Sequence, residues 1–250
     1  FATNQVTGAV LTTTEATSIT SSTATAGGNI TSAGGGLITA RGICWGTAPN
    51  PTISGNKTTN GTGEGTFTGN LTGLTDGTTY YYRAYATNSS GTTYGQELSF
   101  ITPVTDIEGN LYNTVIIGTK VWMAENLNTG IMISAGTSAQ TNNGIIEKYC
   151  YGDAESNCVS KGAFYQWDEL MNYSAIESGQ GICPTGWHVP SESEWCTMAN
   201  GIDPIYNCGY NWNGNNIGIN LKPGGTSGFD ALYTGSWHNG FYWAMNNGIY

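Results

Sequence analysis

The segment GLTDGTTYYYRAYATNSSGTTYGQELSFIT, residues 73–102, decides the fold of the first part of the chain. Residues 79–86 and 97–101 are rich in threonine, aromatic and branched apolar side chains, a composition that favours β-strands. The pairs Asp76-Gly77 and Ser90-Gly91 are typical turn formers and separate the strand-like runs. The segment therefore predicts short strands joined by tight turns.

The same texture continues upstream of this segment, toward the start of the chain. Short alternating runs at 18–20, 36–45 and 65–68 are separated by turns rich in glycine and proline. No stretch of this part has the apolar spacing of a helix. About seven strands in about 95 residues are typical of an all-β sandwich of the immunoglobulin or fibronectin kind. We expect this sandwich to occupy residues 1–103.

The charge of the chain changes near Pro103, which predicts a domain boundary there. Residues 1–103 carry four acidic and three basic side chains, whereas residues 104–250 carry thirteen and four, within a net charge of −10. The excess of acid argues against nucleic-acid binding, because phosphates need lysine and arginine. No apolar run approaches the ~18 residues of a membrane helix, so membrane insertion is not expected.

The first domain resembles a fibronectin type III-like module of surface proteins from Bacteroidota. The features that match are Leu74 before a turn, Tyr80 and Tyr82 in the next strand, the run 83–88, and RGICWG at 41–46. The resemblance implies a spacer or adhesion module without chemistry of its own. We expect the tyrosines to pack in the sandwich and Cys44, which lies in an apolar run, to be a buried free thiol.

The second domain mixes strand and helix signals. Strand-like runs at 110–117 and 121–123 are joined by Gly118. Residues 162–171, GAFYQWDELM, have apolar side chains at helical spacing. A further helix is predicted after Pro190, because Ser191 and Glu194 have the spacing of a capping box.

This domain resembles the Fibrobacter succinogenes major paralogous domain. The matching motifs are DIEGNLY (106–112), VWMAENL (121–127), GAFYQWDELM (162–171) and CPTGWHVPSESEW (183–195). The phrase at 188–195 is also similar to one found in formylglycine-generating-type and C-type-lectin-like folds. These resemblances imply that residues 104–250 form a compact, disulfide-bonded α+β domain, with two helices and a twisted antiparallel sheet.

Five of the six cysteines lie in the second domain, and their spacing is not that of a zinc or redox motif. Local pairs are expected, Cys150 with Cys158 and Cys196 with Cys208, and disulfides indicate an oxidising compartment and therefore secretion. Cys183 has no partner in this scheme. The resembled family has a cysteine in a final strand, which implies that the natural polypeptide continues past residue 250 and pairs Cys183 there. Otherwise Cys183 is a free thiol or joins two chains.

No catalytic motif is recognisable in the sequence. It contains no G-x-S-x-G elbow, H-E-x-x-H helix or phosphate-binding loop. His188 is one of two histidines, and Glu192 or Glu194 stands near enough in sequence to orient it as a general base. A structural histidine bonded to the backbone is the favoured interpretation. We expect a chain that is not an enzyme and keep a polysaccharide hydrolase as a third hypothesis.

The first functional hypothesis is a cell-surface or carbohydrate-binding protein. Residues 206–250 are rich in aromatic, asparagine and glycine residues, which stack on sugar faces and bond hydroxyls. Trp212 and Trp237 are the predicted ligand-binding residues. Calcium is the candidate cofactor, as in C-type lectins, with the acidic side chains of Glu192, Asp203 and Asp230 as its candidate ligands. A merely solvated acidic face is the alternative to a calcium site.

The second hypothesis is a structural role, as a subunit of a surface filament or a multidomain adhesin. Its partners are then other copies of the same chain and not a glycan. Strand edges within residues 1–20 are candidates for β-augmentation between copies.

Overall fold

The computed structural model describes residues 5–136 and 138–204, together with residues 220 and 227. The chain divides into two compact units, Phe1–Pro103 and Val104–Tyr250. Each unit is described by itself below.

The first unit is a two-layer β-sandwich of eight strands over its described residues. Its strands are β1 (Val10–Thr17), β2 (Thr23–Ser32), β3 (Ala40–Gly46), β4 (Asn56–Lys57), β5 (Gly65–Thr72), β6 (Thr79–Asn88), β7 (Gly91–Tyr94) and β8 (Leu98–Ile101). One sheet has the order β1-β2-β5, and the other has the order β4-β3-β6-β7, with β8 also paired to β6. All pairings within both sheets are antiparallel. The predicted sandwich is confirmed.

The core of the sandwich lies between the inner faces of the two sheets. In β2, Ala24, Ala26 and Ile30 are buried, and in β6 the buried residues include Tyr80 and Tyr82. This period of two is what a strand with one buried face requires. The predicted run at 18–20 lies outside the strands. Strand β1 lies within residues 1–20, where strand edges were expected, but its bounds were not predicted because its apolar alternation is weak.

Polar side chains join the two sheets along β1. Gln96 lies between β7 and β8, where its amide donates to the carbonyl oxygen of Thr13 at 2.8 Å and its oxygen accepts from the Thr13 N–H at 3.1 Å. The neighbouring Gly95 permits this approach, because a Cβ there would lie 2.6 Å from Oγ1 of Thr13. The Thr13 hydroxyl in turn accepts from the backbone N–H of Ala84 at 3.0 Å. Gln96 therefore occupies the outer edge of β1 at Thr13.

The second unit combines short strands with short helices. Its elements are β9 (Val104–Thr105), β10 (Leu111–Tyr112), β11 (Thr114–Ile117), β12 (Lys120–Met123), β13 (Ile131–Met132), β14 (Glu147–Lys148), a 3-10 helix (Tyr151–Asp153), α1 (Glu155–Lys161), α2 (Trp167–Leu170) and α3 (Glu192–Ile202). Within its described residues the strands form three separate pairs, of which β13–β14 is parallel. These described residues do not by themselves form the twisted antiparallel sheet that the resemblance implies.

The predicted helix over 162–171 is shorter in the structure. Phe164 pairs with Tyr149 in an antiparallel bridge, and Gly162, at φ 78°, closes the C-terminus of α1. Only Trp167–Leu170 is helical, so Trp167 lies at the helix start and is 46% exposed, whereas Leu170 is buried. Helix α1 was not predicted, since its sequence ESNCVSK has few apolar residues.

A buried carboxylate organises the first turn of the second unit. Oδ1 of Asp106 accepts the backbone N–H groups of Glu108 and Asn110, each at 2.9 Å. Oδ2 accepts the Asn110 amide at 2.8 Å, the Tyr112 hydroxyl at 2.7 Å and the Thr129 hydroxyl at 2.5 Å. Burial acts to raise the pKa of Asp106, but these hydrogen bonds outweigh it and lower the pKa below its usual value. The motif DIEGNLY is thus a turn built around one anion.

The predicted capping box of α3 is confirmed. The Ser191 hydroxyl accepts the N–H of Glu194, and the Glu194 carboxylate accepts the N–H of Ser191. Met198 is buried and Trp195 is half-buried against the same small cluster, as the helical spacing predicts. No helix among the described residues is both long and apolar enough to cross a bilayer.

The cysteines follow the predicted local pattern where it is described. Cys150 and Cys158 form a disulfide, which confirms that pair. Cys196 is also disulfide-bonded, and its predicted partner Cys208 lies outside the described residues. Cys44 is a buried free thiol and Cys183 is a half-buried one.

Candidate functional site

The structure does not bring the predicted calcium ligands together. Glu192 begins α3 and is exposed, whereas Asp203 is buried at the C-terminal end of the same helix. Eleven helical residues separate them by roughly 16 Å at ~1.5 Å per residue. Calcium binds its oxygen ligands at about 2.3–2.6 Å, so Glu192 and Asp203 cannot both ligate one ion. Asp230, Trp212 and Trp237 lie outside the described residues. In the described part of the chain, no group of three acidic, histidine or cysteine side chains converges on a metal-sized site.

His188 contacts a side chain and not the backbone, which corrects the sequence-based interpretation. Its Nε2 lies 2.9 Å and 3.0 Å from the two carboxylate oxygens of Glu194. Of the two acids proposed as its partner, the structure selects Glu194. The pair lies at the start of α3, in the motif CPTGWHVPSESEW.

The Glu194 carboxylate is occupied by donors from three parts of the second unit. It accepts the Ser191 N–H at 3.0 Å, the Lys120 ammonium at 3.3 Å and the imidazole of His188. Burial acts to raise the pKa of Glu194, but the hydrogen bonds from Ser191 and His188 outweigh it and lower the pKa to about 2. The carboxylate therefore stays ionised and orients His188, and it does not itself act as a proton acceptor near neutral pH.

The first unit presents an uncharged polar surface on the outside of its three-stranded sheet. We call it the threonine face. Its members are exposed or half-buried side chains that point away from the core: Thr12 and Thr14 on β1, Thr23, Thr25 and Asn29 on β2, and Thr66, Thr68, Asn70 and Thr72 on β5.

Strand register arranges this face in rows. Thr12, Asn29 and Thr66 are opposite one another on the three strands. Such neighbours lie about 4.7–4.9 Å apart across a sheet, and members of one strand repeat at about twice the ~3.3 Å rise. The face is therefore a two-dimensional array of hydroxyl and carboxamide groups.

A glycine at the centre of the array lets its flanking threonines approach. Gly27 pairs with Thr14 on one side and Thr68 on the other. A Cβ at Gly27 would lie 2.8 Å from the Thr14 Oγ1 and 3.4 Å from the Thr68 Cγ2. In the adjacent row, the Thr25 hydroxyl donates to Oδ1 of Asn70 at 3.2 Å.

The threonine face carries no charge. Glu15, next to the register shift in β1, is the only charged residue in the three strands that build the sheet. Hydroxyl groups donate and accept hydrogen bonds, and carboxamides do both through separate atoms. Such a surface matches a partner that also presents neutral hydroxyl groups.

Sequence analysis did not single out these residues as a site. The signal is present as alternation of threonine or asparagine with apolar residues, clearest in TFTGNLT at 66–72. Alternation alone shows which side chains share a face of one strand. Joining three strands into one surface requires the register, which the structure supplies.

Strand order and composition define the class of the protein. It joins an immunoglobulin- or fibronectin-like sandwich to a small, disulfide-containing domain of short helices and strands. Residues 115–248 match the family model of the Fibrobacter succinogenes major domain. Because the match spans more than half of the sequence, the chain belongs to this family.

Comparison with solved structures returned small sandwich domains. A sensor domain of the anti-sigma factor RsgI4 from Pseudobacteroides cellulosolvens is 17% identical, covers 39% of this chain and 97% of its own, and has a TM-score of 0.30. The sixth fibronectin type III domain of human fibronectin type III domain containing protein 3 is 18% identical, covers 41% and 90%, and has a TM-score of 0.29. Scores this low support no inference about function. No curated protein matches the sequence.

Proposed function

We propose that this chain is a non-catalytic binding or adhesion protein, displayed outside the cell, that contacts neutral carbohydrate through the threonine face. The observation that carries the proposal is the charge-free array of nine threonine and asparagine side chains on one sheet. The proposal concerns the first unit directly and treats the second unit as a companion domain.

Neutral glycans suit this surface because each sugar hydroxyl is both a donor and an acceptor. Threonine hydroxyls and asparagine carboxamides have the same double capacity. An anionic polymer gains no ion pairs from a face that lacks lysine and arginine, so electrostatic attraction cannot hold it there. The face therefore favours uncharged polysaccharide over nucleic acid or acidic glycans.

Two features of the second unit support the rest of the proposal. The Cys150–Cys158 disulfide is typical of proteins in oxidising compartments, which favours secretion or surface display. The Glu194 carboxylate also accepts the Ser191 N–H and the Lys120 ammonium, and this shared use supports a structural role of the His188 pair.

The second unit contributes a further proposal of its own. We keep a C-type-lectin-like sugar site at Trp212 and Trp237 as its hypothesis, with calcium as a candidate cofactor. Glu192 and Asp203 lie at opposite ends of α3, so at most one of them can bind such an ion and its other ligands must come from elsewhere in the unit.

Self-assembly by β-augmentation is the competing function. Gln96 bonds both the N–H and the carbonyl oxygen of Thr13, which are groups that an added strand at the edge of β1 would need. This contact works against augmentation at the centre of β1. A self-assembling chain remains an outcome that the experiment below detects.

The experiment is a screen of the full chain against neutral and acidic polysaccharides, with calcium and then with chelator. The double variant Thr14→Lys/Thr68→Lys places two charges in the middle row of the face. Thr62→Lys adds a charge at an exposed loop threonine and serves as the matched control. The proposal predicts binding to neutral polysaccharide that the double variant loses at least tenfold and the control retains.

Other outcomes separate the hypotheses. Binding that survives the double variant but is abolished by chelator overturns the role of the threonine face and favours the second unit. No binding, combined with concentration-dependent polymer in sedimentation, favours self-assembly.

A further inference from the structure

Lys148 is a buried cation held against a carboxamide and a carboxylate. It ends β14 and is 4% exposed. Its Nζ lies 2.9 Å from Oδ1 of Asn128, 3.1 Å from the Asn128 carbonyl oxygen and 2.8 Å from Oε1 of Glu155. An amine, a side-chain amide and a proton acceptor therefore meet at one point in the second unit.

These are the three groups that an intramolecular amide exchange requires. The amine is the nucleophile, the carboxamide carbon is the electrophile, and the carboxylate moves the proton. We propose that Lys148 and Asn128 form a covalent amide cross-link, with Glu155 as the proton carrier. The inference is independent of the carbohydrate proposal, since it concerns a different unit and different residues.

The reaction balances without any oxidant, reductant or added reagent. Glu155 takes a proton from the Lys148 ammonium, and the neutral Nζ attacks Cγ of Asn128 to form a tetrahedral intermediate. Glu155 passes that first proton to solvent and then takes a second proton from the positively charged Nζ of the intermediate. It delivers the second proton to Nδ2 of Asn128, the Cγ–Nδ2 bond breaks, and ammonia leaves. The products are one Nζ–Cγ amide bond, one molecule of ammonia and one proton released to water.

The distances place the reacting atoms close together. Nζ lies 2.9 Å from Oδ1, and Cγ is one carbonyl bond, about 1.23 Å, from that oxygen. Nζ therefore lies within about 4.1 Å of Cγ, and the attack requires it to move from the oxygen to the face of the carbonyl carbon. Holding two reactants in this way replaces an encounter in solution and supplies a large part of the rate.

The surrounding structure holds the backbone that bears the carboxamide. The Asn128 N–H donates to the Tyr112 hydroxyl at 2.9 Å, and the next residue, Thr129, accepts the hydroxyl of Tyr165 at its carbonyl oxygen. Tyr112 and Tyr165 are themselves buried core residues. The backbone that bears Asn128 is thus held by the core at its N–H and by Lys148 at its carbonyl oxygen.

Glu155 is placed to exchange protons with solvent as well as with Lys148. It is the first residue of α1, and its side chain is 53% exposed although its Oε1 contacts the buried ammonium. A proton carrier of this kind links the buried reaction to water. The cross-link would close a loop of 20 residues that contains β13, next to the loop closed by Cys150 and Cys158.

The experiment is an intact-mass measurement on the purified, folded and reduced full chain. The proposal predicts a mass below that of the sequence by one ammonia, and a branched peptide in a protease digest that joins Asn128 to Lys148. Lys148→Arg and Asn128→Ala restore the full mass for their sequences. Lys161→Arg is the matched control, because Lys161 lies in the same unit and stacks on Tyr151. This variant is expected to show the same loss of one ammonia as the wild type.

The outcomes are decisive in both directions. Glu155→Gln is expected to leave most of the chain unlinked, and normal cross-linking in this variant overturns the role of Glu155. An ammonia loss that persists in Lys148→Arg belongs to an asparagine elsewhere and overturns the cross-link. A wild-type chain of full mass with no branched peptide also overturns the cross-link, and Lys148 is then only an ion-pair and hydrogen-bond donor.

Discussion

Replacing Asp106 by asparagine removes the anion around which the turn at 106–112 is built. The carboxylate accepts hydrogen bonds from five donor groups, three of them at Oδ2. In Asp106→Asn, an NH2 group must replace one of the two oxygens and face donors. An NH2 group at the Oδ2 position can be met by rotated hydroxyls and a flipped Asn110 carboxamide, whereas at the Oδ1 position it faces two backbone N–H groups that cannot accept. With one or two bonds to a charged group lost, the free energy of unfolding is expected to fall by about 3 kcal/mol.

The assay is thermal unfolding followed by tryptophan fluorescence, since seven of the eight tryptophans lie in the second unit. For a unit of this size, 3 kcal/mol corresponds to a fall in Tm of about 6–12 °C. Asp153→Asn is the matched control, because Asp153 accepts from Ser134 and Ala135 at the surface. The reasoning is refuted if Tm of Asp106→Asn falls by less than about 2 °C, or if Tm of the control falls as far as that of Asp106→Asn.

Three further changes test other parts of the account. Gln96→Ala should lower the stability of the first unit by about 1–3 kcal/mol, since two bonds to Thr13 are lost; urea unfolding followed by far-UV circular dichroism measures it. Cys158→Ser should destabilise the second unit by about 2–3 kcal/mol by opening the short loop to Cys150, which the midpoint of unfolding in denaturant measures. Reduction of the wild type also opens the disulfide of Cys196 and should lower the midpoint at least as far. The lowered pKa of Glu194 contributes stability above pH ~4.3, which is lost as the pH falls toward 2. Because the side chain is 20% exposed, about 1–2 kcal/mol is expected, and Glu194→Gln should flatten this dependence in acid unfolding curves.

The sandwich was predictable because its signals are local. Tyr80 and Tyr82 are two residues apart and both point inward, as a half-buried strand requires. Asp76-Gly77 and Ser90-Gly91 flank β6, where turns were expected. The sequence could not show the bounds of β1, because its threonines alternate with little apolar contrast. It also could not show that Gln96 bonds the backbone of β1.

The second unit was less predictable because its contacts are distant in sequence. The apolar side chains of residues 162–171 repeat at helical spacing. Phe164 nevertheless pairs with Tyr149 in a β-bridge, so only the last turn forms a helix. A capping box depends on two residues three apart, and α3 was therefore found. The contacts of Lys148 with Asn128 and Glu155 leave no sequence pattern at all.

The threonine face was also predictable only within each strand. Each strand reveals its own outward residues by alternation, but the row of Thr14, Gly27 and Thr68 joins three strands that are not consecutive. Only the register of β2 against both neighbours makes one surface of them.

The most direct test of the central claim is amide hydrogen exchange of the full chain with and without a bound neutral polysaccharide. The account predicts slower exchange in β1, β2 and β5 and in the loops that join them, with no change in β6 or α3. Protection confined to the second unit, with the threonine face unaffected, would contradict it.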